Sequence, residues 1–440
     1  MPSLQDIKRQ YRLAFGLNVC IEQGNKAQAE ALLAAGAPVN GSNLLQYCPL
    51  TFTAVCGGVD LARLFIERGS DLNARVVEDV FNDAGRLSVK KGTSALTMAI
   101  RNCHVDVFEL LVSAGADLNA ADSTGFTPLM SASLGVEEVE KGVVMTKGLL
   151  RAGADPTIVN DEGCIALTYA AGEGSPEVVD MLLEKAPKTV SHVTFAGATP
   201  LYGAVCHGNE KAVVRLLAAG AVQPKRYRRT LCPLMHAVVD NNERLVRILL
   251  RRLKAIGGDA AIKSALEASV IQRRARLLHI LLLSEGEGRR ERWANCTLSE
   301  GILRSAASCG TPRVLSVLLS AGADETQLDG HGRTASEAVR MSLWGRHMVT
   351  KEETAAMRRM LLRGPAFRAR SWAWRVGIAG ATEVLRDGCG DVCGAGEGGG
   401  SDAAGAGRAR RKSTLAVRIY RPENKTFFLR HLGMYSLKKE

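Results

Sequence analysis

The chain has 440 residues, with 57 Lys and Arg against 45 Asp and Glu, and its residues are 46% apolar but only 5% aromatic. That length would allow two or three globular domains, yet so few large rings suit units that bury Leu, Val and Ala against their neighbours better than one large central core. The opening stretch Met1 to Gln10 has no apolar leader core and no run nears the ~20 apolar residues of a bilayer span, so neither secretion nor a membrane span is expected.

In chain order, the first signal is Leu32-Leu33-Ala34-Ala35-Gly36-Ala37. It returns at Leu110 to Ala116, Leu149 to Ala154, Leu216 to Ala221 and Leu318 to Ala323, with the punctuating glycines at 36, 69, 115, 153, 220 and 322. Their spacing reduces to a period near 33 residues, the mark of stacked repeats. A second marker opens the units: Cys48-Pro49-Leu50, Thr127-Pro128-Leu129, Thr199-Pro200-Leu201 and Cys232-Pro233-Leu234. The threonine oxygen caps orphan amides, and proline fits the first helical position because its missing N–H has no partner there. A short helix is therefore predicted at each marker. A second helix follows, as in Glu177 to Leu183 with apolar residues at i, i+3 and i+4, and glycines such as Gly36, Gly115 and Gly153 end it in a left-handed turn.

The pair of markers closely resembles the ankyrin repeat. The resemblance implies an all-α solenoid of stacked helix–turn–helix units with β-turn tips, and we count about ten units over roughly residues 14–362. Units three to seven centre on Leu96, Leu129, Leu167, Leu201 and Leu234. Residues 1–13 read as an N-terminal cap and 14–364 as the array, with an insertion at 75–90 that extends the projecting turn region, its Val76, Val77, Val80 and Phe81 expected either to fold back on the next repeat or to contact a partner, and a degenerate unit near 262–283. Residues 365–387 read as a basic capping segment, 388–412 as a Gly/Ala-rich linker, and 413–440 as a β-hairpin tail.

Little catalytic chemistry is legible. Gly394 to Gly399 satisfies G-x-G-x-x-G, but no strand precedes it and no helix follows, so it cradles no phosphate. Cys389 and Cys393 lack the second pair that zinc requires. The eleven cysteines are scattered singly, which fits reduced thiols in the cytoplasm; the Arg408 to Lys412 cluster leaves the nucleus open and makes Ser413 a candidate phosphorylation site. No cofactor, metal or small-molecule substrate is expected. Charge is unevenly divided: residues 1–222 hold 18 Lys and Arg against 24 Asp and Glu, whereas 223–440 hold 39 against 21. The basic half therefore suits an acidic surface.

The function expected is a non-catalytic scaffold that binds a partner protein on the concave face of the array. Two alternatives stand beside it: a substrate-recruiting adaptor of a larger assembly such as a ubiquitin ligase, and a binder of nucleic acid or anionic lipid through the basic half. The resemblance implies which side chains line the concave face: Lys90, Lys91, Arg101 and Asn102 in repeat three, then Ser123, Thr124, Phe126 and Leu134 in repeat four. Asp161, Glu162, Cys164 and Glu173 follow in repeat five, and Phe195, Cys206, His207, Arg228, Arg229 and Asp240 in repeats six and seven. Phe126, Phe195 and Arg228 are the expected anchors, because rings and forked cations carry most interface energy.

Overall fold

A computed structural model describes residues 4–41, 48–81, 87–135, 138–222, 232–252, 258–283, 302–308, 311–326, 334–341 and 351–362. The described residues fall into two compact bodies, 4–222 and 232–362. The expected capping segment, linker and tail beyond residue 362 lie outside them, as do Arg228, Arg229 and Ser413.

The first body is a stack of helix pairs: α1 (Leu4–Glu22) with α2 (Lys26–Ala34), α3 (Pro49–Cys56) with α4 (Val59–Glu67), and α5 (Ala95–Arg101) with α6 (Val105–Ser113). The stack continues with α7 (Pro128–Ser133) and α8 (Val139–Ala152), α9 (Ala166–Gly172) and α10 (Pro176–Lys185), and α11 (Pro200–Cys206) and α12 (Glu210–Ala218). First helices pack on first helices in one row, α1 through α11, and second helices on second helices in another, α2 through α12. Each row buries its apolar stripe against the other. Leu96 and Ile100 of α5, Phe108 and Leu111 of α6, Met145 and Leu149 of α8, and Leu201 of α11 are all at most 2% exposed. No single centre exists; the core is the continuous seam between two layers.

The proline-marked starts form the caps that their chemistry requires. Thr127 Oγ1 accepts from Met130 N at 3.2 Å, Thr199 Oγ1 from Tyr202 N at 3.2 Å, and Cys48 Sγ from Thr51 N at 3.3 Å. At the other end Gly115 has φ +88°, a left-handed geometry that penalises any Cβ. The insertion pairs as two short antiparallel strands, β1 (Val80–Phe81) and β2 (Leu87–Val89). Val76, Val80 and Val89 are buried at 2%, 8% and 5% while Val77 is half exposed, so the segment folds back through alternate side chains.

The second body, by itself, repeats the two-layer plan. α13 (Pro233–Val239) pairs with α14 (Glu243–Leu250) and α15 (Gly258–Ile271) with α16 (Ala275–Leu283), followed by Ile302–Ser308 with Pro312–Ser320 and Ala335–Met341 with Lys351–Leu362. Among the described residues no helix is long and apolar enough to cross a membrane.

Candidate partner-binding strip

Each first helix is preceded by a tight turn whose own side chains hold it. Asp122 Oδ1 accepts from Thr124 N (2.8 Å), Thr124 Oγ1 (2.7 Å) and Phe126 N (3.0 Å). Asn160 Oδ1 does the same for Glu162 N (3.0 Å) and Cys164 N (2.9 Å), and Thr194 Oγ1 for Ala198 N (3.1 Å). Successive turns then bond to one another through the backbone. Ser123 N donates to Lys91 O at 2.8 Å, Asp161 N to Thr124 O at 3.0 Å, and Phe195 N to Glu162 O at 3.2 Å. The tips of repeats three to six thus form one ladder. Close approach is what makes Gly163 necessary: it has φ +74°, and a Cβ there would lie 2.6 Å from Phe195 N.

The ladder aligns one edge of the expected strip. Lys91, Ser123, Asp161 and Phe195 are exposed along it, with Lys90, Thr124 and Glu162 half-buried. Lys90 Nζ lies 3.5 Å from Asp79 Oδ2, and Asp79 Oδ1 accepts from Lys91 N at 2.8 Å. That backbone bond, helped by the two lysine charges, holds the Asp79 carboxyl below the usual carboxylate range.

A second edge lies at the far ends of the first helices, roughly 10 Å away for seven residues of helix. It carries Arg101 and Asn102 at the end of α5, Leu134 after α7, Glu173 after α9, and Cys206 with His207 at the end of α11. His207 Nδ1 donates to Gly203 O at 2.9 Å, leaving Nε2 facing Glu173 Oε1 at 3.6 Å. Burial pushes the Glu173 carboxyl up, and the His207 charge opposes that rise. Asn102 is turned back on its own helix, with Nδ2 donating to Met98 O at 2.8 Å. Asp240 lies in the second body, 2.9 Å from His236 Nδ1.

Two expected strip residues do not project. Phe126 is 8% exposed and packs edge-on against Tyr169, with ring centroids 5.0 Å apart; Cys164 is 1% exposed. Both follow the tip glycine, and Thr93 and Ala198 in the same register are 1% and 2% exposed, so this position faces the seam. Phe126 is a core residue rather than an anchor. Phe195 sits two residues before its glycine and is 75% exposed.

The sequence reading missed a second set of stitches below the tips. Asn40 Oδ1 accepts from Asp71 N (2.8 Å), Asn73 Oδ1 from Asp117 N (2.8 Å), and Asn119 Oδ1 from Asp155 N (2.9 Å). Each of those aspartates in turn receives the amide two residues on: Asn73 N at 2.9 Å, Asn119 N at 3.0 Å and Thr157 N at 2.8 Å. The signal was present as Gly-x-Asp-x-Asn after the second helix at Gly69 and Gly115, with Asn40 and Asp155 keeping only one half of it. Between repeats, His104 Nε2 donates to Val55 O at 2.9 Å and Asn209 Nδ2 to Gly174 O at 3.1 Å.

Paired helices in two rows, with projecting turns laced tip to tip, define a helix-pair repeat protein whose variable residues stand on a shared framework. The family model for ankyrin repeats in three copies matches residues 75–145 and 137–228, so this stretch of the chain carries ankyrin repeats. It is 29% identical over 178 residues to the ankyrin repeat and KH domain-containing protein mask-1 of Caenorhabditis elegans, covering 40% of this chain and 6% of that protein. It is 28% identical over 174 residues to the ankyrin repeat protein nuc-2 of Neurospora crassa, covering 38% of this chain and 15% of that protein. The matched part is thus a small fraction of either relative. Ankyrin repeats are a protein–protein interaction module, generally without catalytic groups of their own.

Proposed function

We propose that this chain is a non-catalytic scaffold that captures a partner protein on the strip formed by the tips and first helices of repeats three to six. The observation that carries the reading is the backbone ladder from Lys91 to Phe195. It holds four variable tips in fixed register, so a partner meets a preformed surface and little ordering entropy is lost on binding. The exposed residues along it differ in chemistry from tip to tip, cationic at Lys91, hydroxylic at Ser123, anionic at Asp161 and aromatic at Phe195. Variation on a constant frame is how one fold serves unrelated partners. The helix pairs before residue 75 extend the same array, and singly scattered cysteines favour the cytoplasm as its compartment.

The test is capture by the full-length chain carrying Lys91→Glu, Asp161→Lys and Phe195→Ala together. Loss of the principal partner, with unchanged thermal unfolding and with normal capture by Arg215→Ala on the second-helix row, supports the strip. Normal capture by the triple variant, combined with loss on deletion of 388–440, refutes it in favour of a tail-borne adaptor.

A further inference from the structure

We infer that the first half of α1 is a second docking surface, separate from the strip, and that its occupant is a partner protein offering an apolar groove with acidic residues along one rim. α1 packs on α2 and α3, helices of nine and eight residues, yet has nineteen itself. The surplus lies at its start. Among the described side chains, burial begins at Ala14 and continues at Leu17, Cys20 and Ile21, whereas Lys8, Arg9, Gln10, Tyr11 and Arg12 are exposed and Leu13 is half-buried. Roughly 15 Å of helix, residues 4–13, therefore precedes the part that is packed. So short a helix is marginal in water by itself, and a surface that covers one side of it stabilises it.

The side available is apolar along one line. Tyr11 is 41% and Phe15 54% exposed, and their rings stack with centroids 6.5 Å apart. The helical register sets positions 4 and 7 in the same line, and the sequence has Leu4 and Ile7 there, completing i, i+3, i+7 and i+11. By such spacing a helix anchors in a groove, and these positions span only about 80° of the helix circumference. Lys8 and Arg12 border the line on one side with Arg9 beyond them, and Asp6 falls on the opposite side of the register. None of these three cations is engaged by an acid among the described residues.

Charge decides the occupant. A second copy would set the same cations against one another across a two-fold axis. An anionic membrane would attract them but repel the rest of the first body, since residues 1–222 hold 24 acids against 18 cations. The segments that border α1 and its turn, residues 1–3 and 42–47, have no charged side chain to compensate the cations. A groove whose rim supplies carboxylates matches both the apolar line and its border.

The experiment is panning of a displayed library of small folded domains on the full-length chain. Binding of the enriched domains should fall about tenfold or more with Tyr11→Ala and Phe15→Ala together. It should fall similarly with Lys8→Glu and Arg12→Glu together, and lysine in place of the domain's rim acids should restore it. All four side chains are exposed, so thermal unfolding of both double variants should match the parent. Four results overturn the inference: no domain that depends on Tyr11 and Phe15, domains that depend on them but are indifferent to the charge reversal, no recovery with the reversed rim, or a lowered melting temperature in either double variant. Two further assays name the other occupants and overturn it as well. One is binding to vesicles of phosphatidylcholine with phosphatidylserine, and the other a dimer in sedimentation, each abolished by Tyr11→Ala with Phe15→Ala. The strip is tested apart from this face, because Lys91→Glu, Asp161→Lys and Phe195→Ala together should leave these domains bound.

Discussion

Substituting alanine at Gly163 and at Gly115 separates two costs that glycine normally hides. Both positions are left-handed, with φ of +74° and +88°, so alanine at either meets a backbone penalty of about 1–2 kcal/mol. Around Gly115 nothing lies within 4 Å of the added Cβ, and the penalty stops there. At Gly163 the Cβ would lie 2.6 Å from Phe195 N and 2.8 Å from the ring. The exposed ring can swing aside, but the amide belongs to the next tip and must retreat, breaking its bond to Glu162 O. Losing that bond adds about 0.5–1.5 kcal/mol, so Gly163→Ala should cost roughly 2–3 kcal/mol and Gly115→Ala about half of that. Urea unfolding measures both, and native-state hydrogen exchange locates the damage: the Phe195 amide should lose protection in Gly163→Ala only. Equal destabilisation by the two variants, with Phe195 protected in both, would mean that the tips do not touch and that the ladder is wrongly drawn.

Other substitutions test the remaining assignments. Phe126→Ala, which empties a site against Tyr169, should lower stability by about 3–4 kcal/mol, while Phe195→Ala should leave unfolding within about 0.5 kcal/mol of the parent and act on binding alone. His104→Ala removes the bond to Val55 O and the ring that covers Gly57, and should cost about 1–2 kcal/mol by thermal or urea unfolding. Bonds from the Thr157 hydroxyl and amide hold the Asp155 carboxyl below its ordinary 3.8. The unfolded chain therefore takes up that proton first on acidification, so the stabilisation is present above pH 3.8 and is lost as pH falls through the lower folded value. Asp155→Asn should flatten the acid limb of the stability profile in that window; an unchanged limb would show that the Thr157 bonds do not form.

The repeat frame was legible because it is written in residues with few alternatives. A proline after threonine or cysteine starts a helix for lack of an amide, and a glycine after a leucine pair ends one for lack of a Cβ. The direction of individual tip residues was harder to read. Phe126 and Phe195 are both aromatic residues beside a tip glycine, yet the first faces the seam and the second faces solvent. Register decides it: the position after the glycine also holds Thr93, Cys164 and Ala198, none of which needs water, whereas the position two before it also holds Ser123 and Asp161. Comparing all repeats at one position would have sorted them. The strand pairing of Val80 with Val89 was out of reach for another reason, because an insertion has no equivalent in the other repeats against which its pattern could be aligned.

The stitches between repeats have a direction. Phe195 donates to Glu162, Asp161 to Thr124 and Ser123 to Lys91; Asp155 donates to Asn119, Asp117 to Asn73 and Asp71 to Asn40; His104 donates to Val55 and Asn209 to Gly174. In each the later repeat gives the hydrogen and the earlier one receives it, with Arg75, which reaches forward to Ala121 O, and Cys232, whose Sγ reaches forward to Ala261 O at 3.9 Å, running the other way. A ribosome adding about 5–20 residues per second takes roughly 2–7 s to extend the chain by one repeat, whereas a helix forms in microseconds. Each new repeat therefore emerges after the neighbour that carries its acceptors, and the asymmetry of the bonds matches the order in which the chain is made.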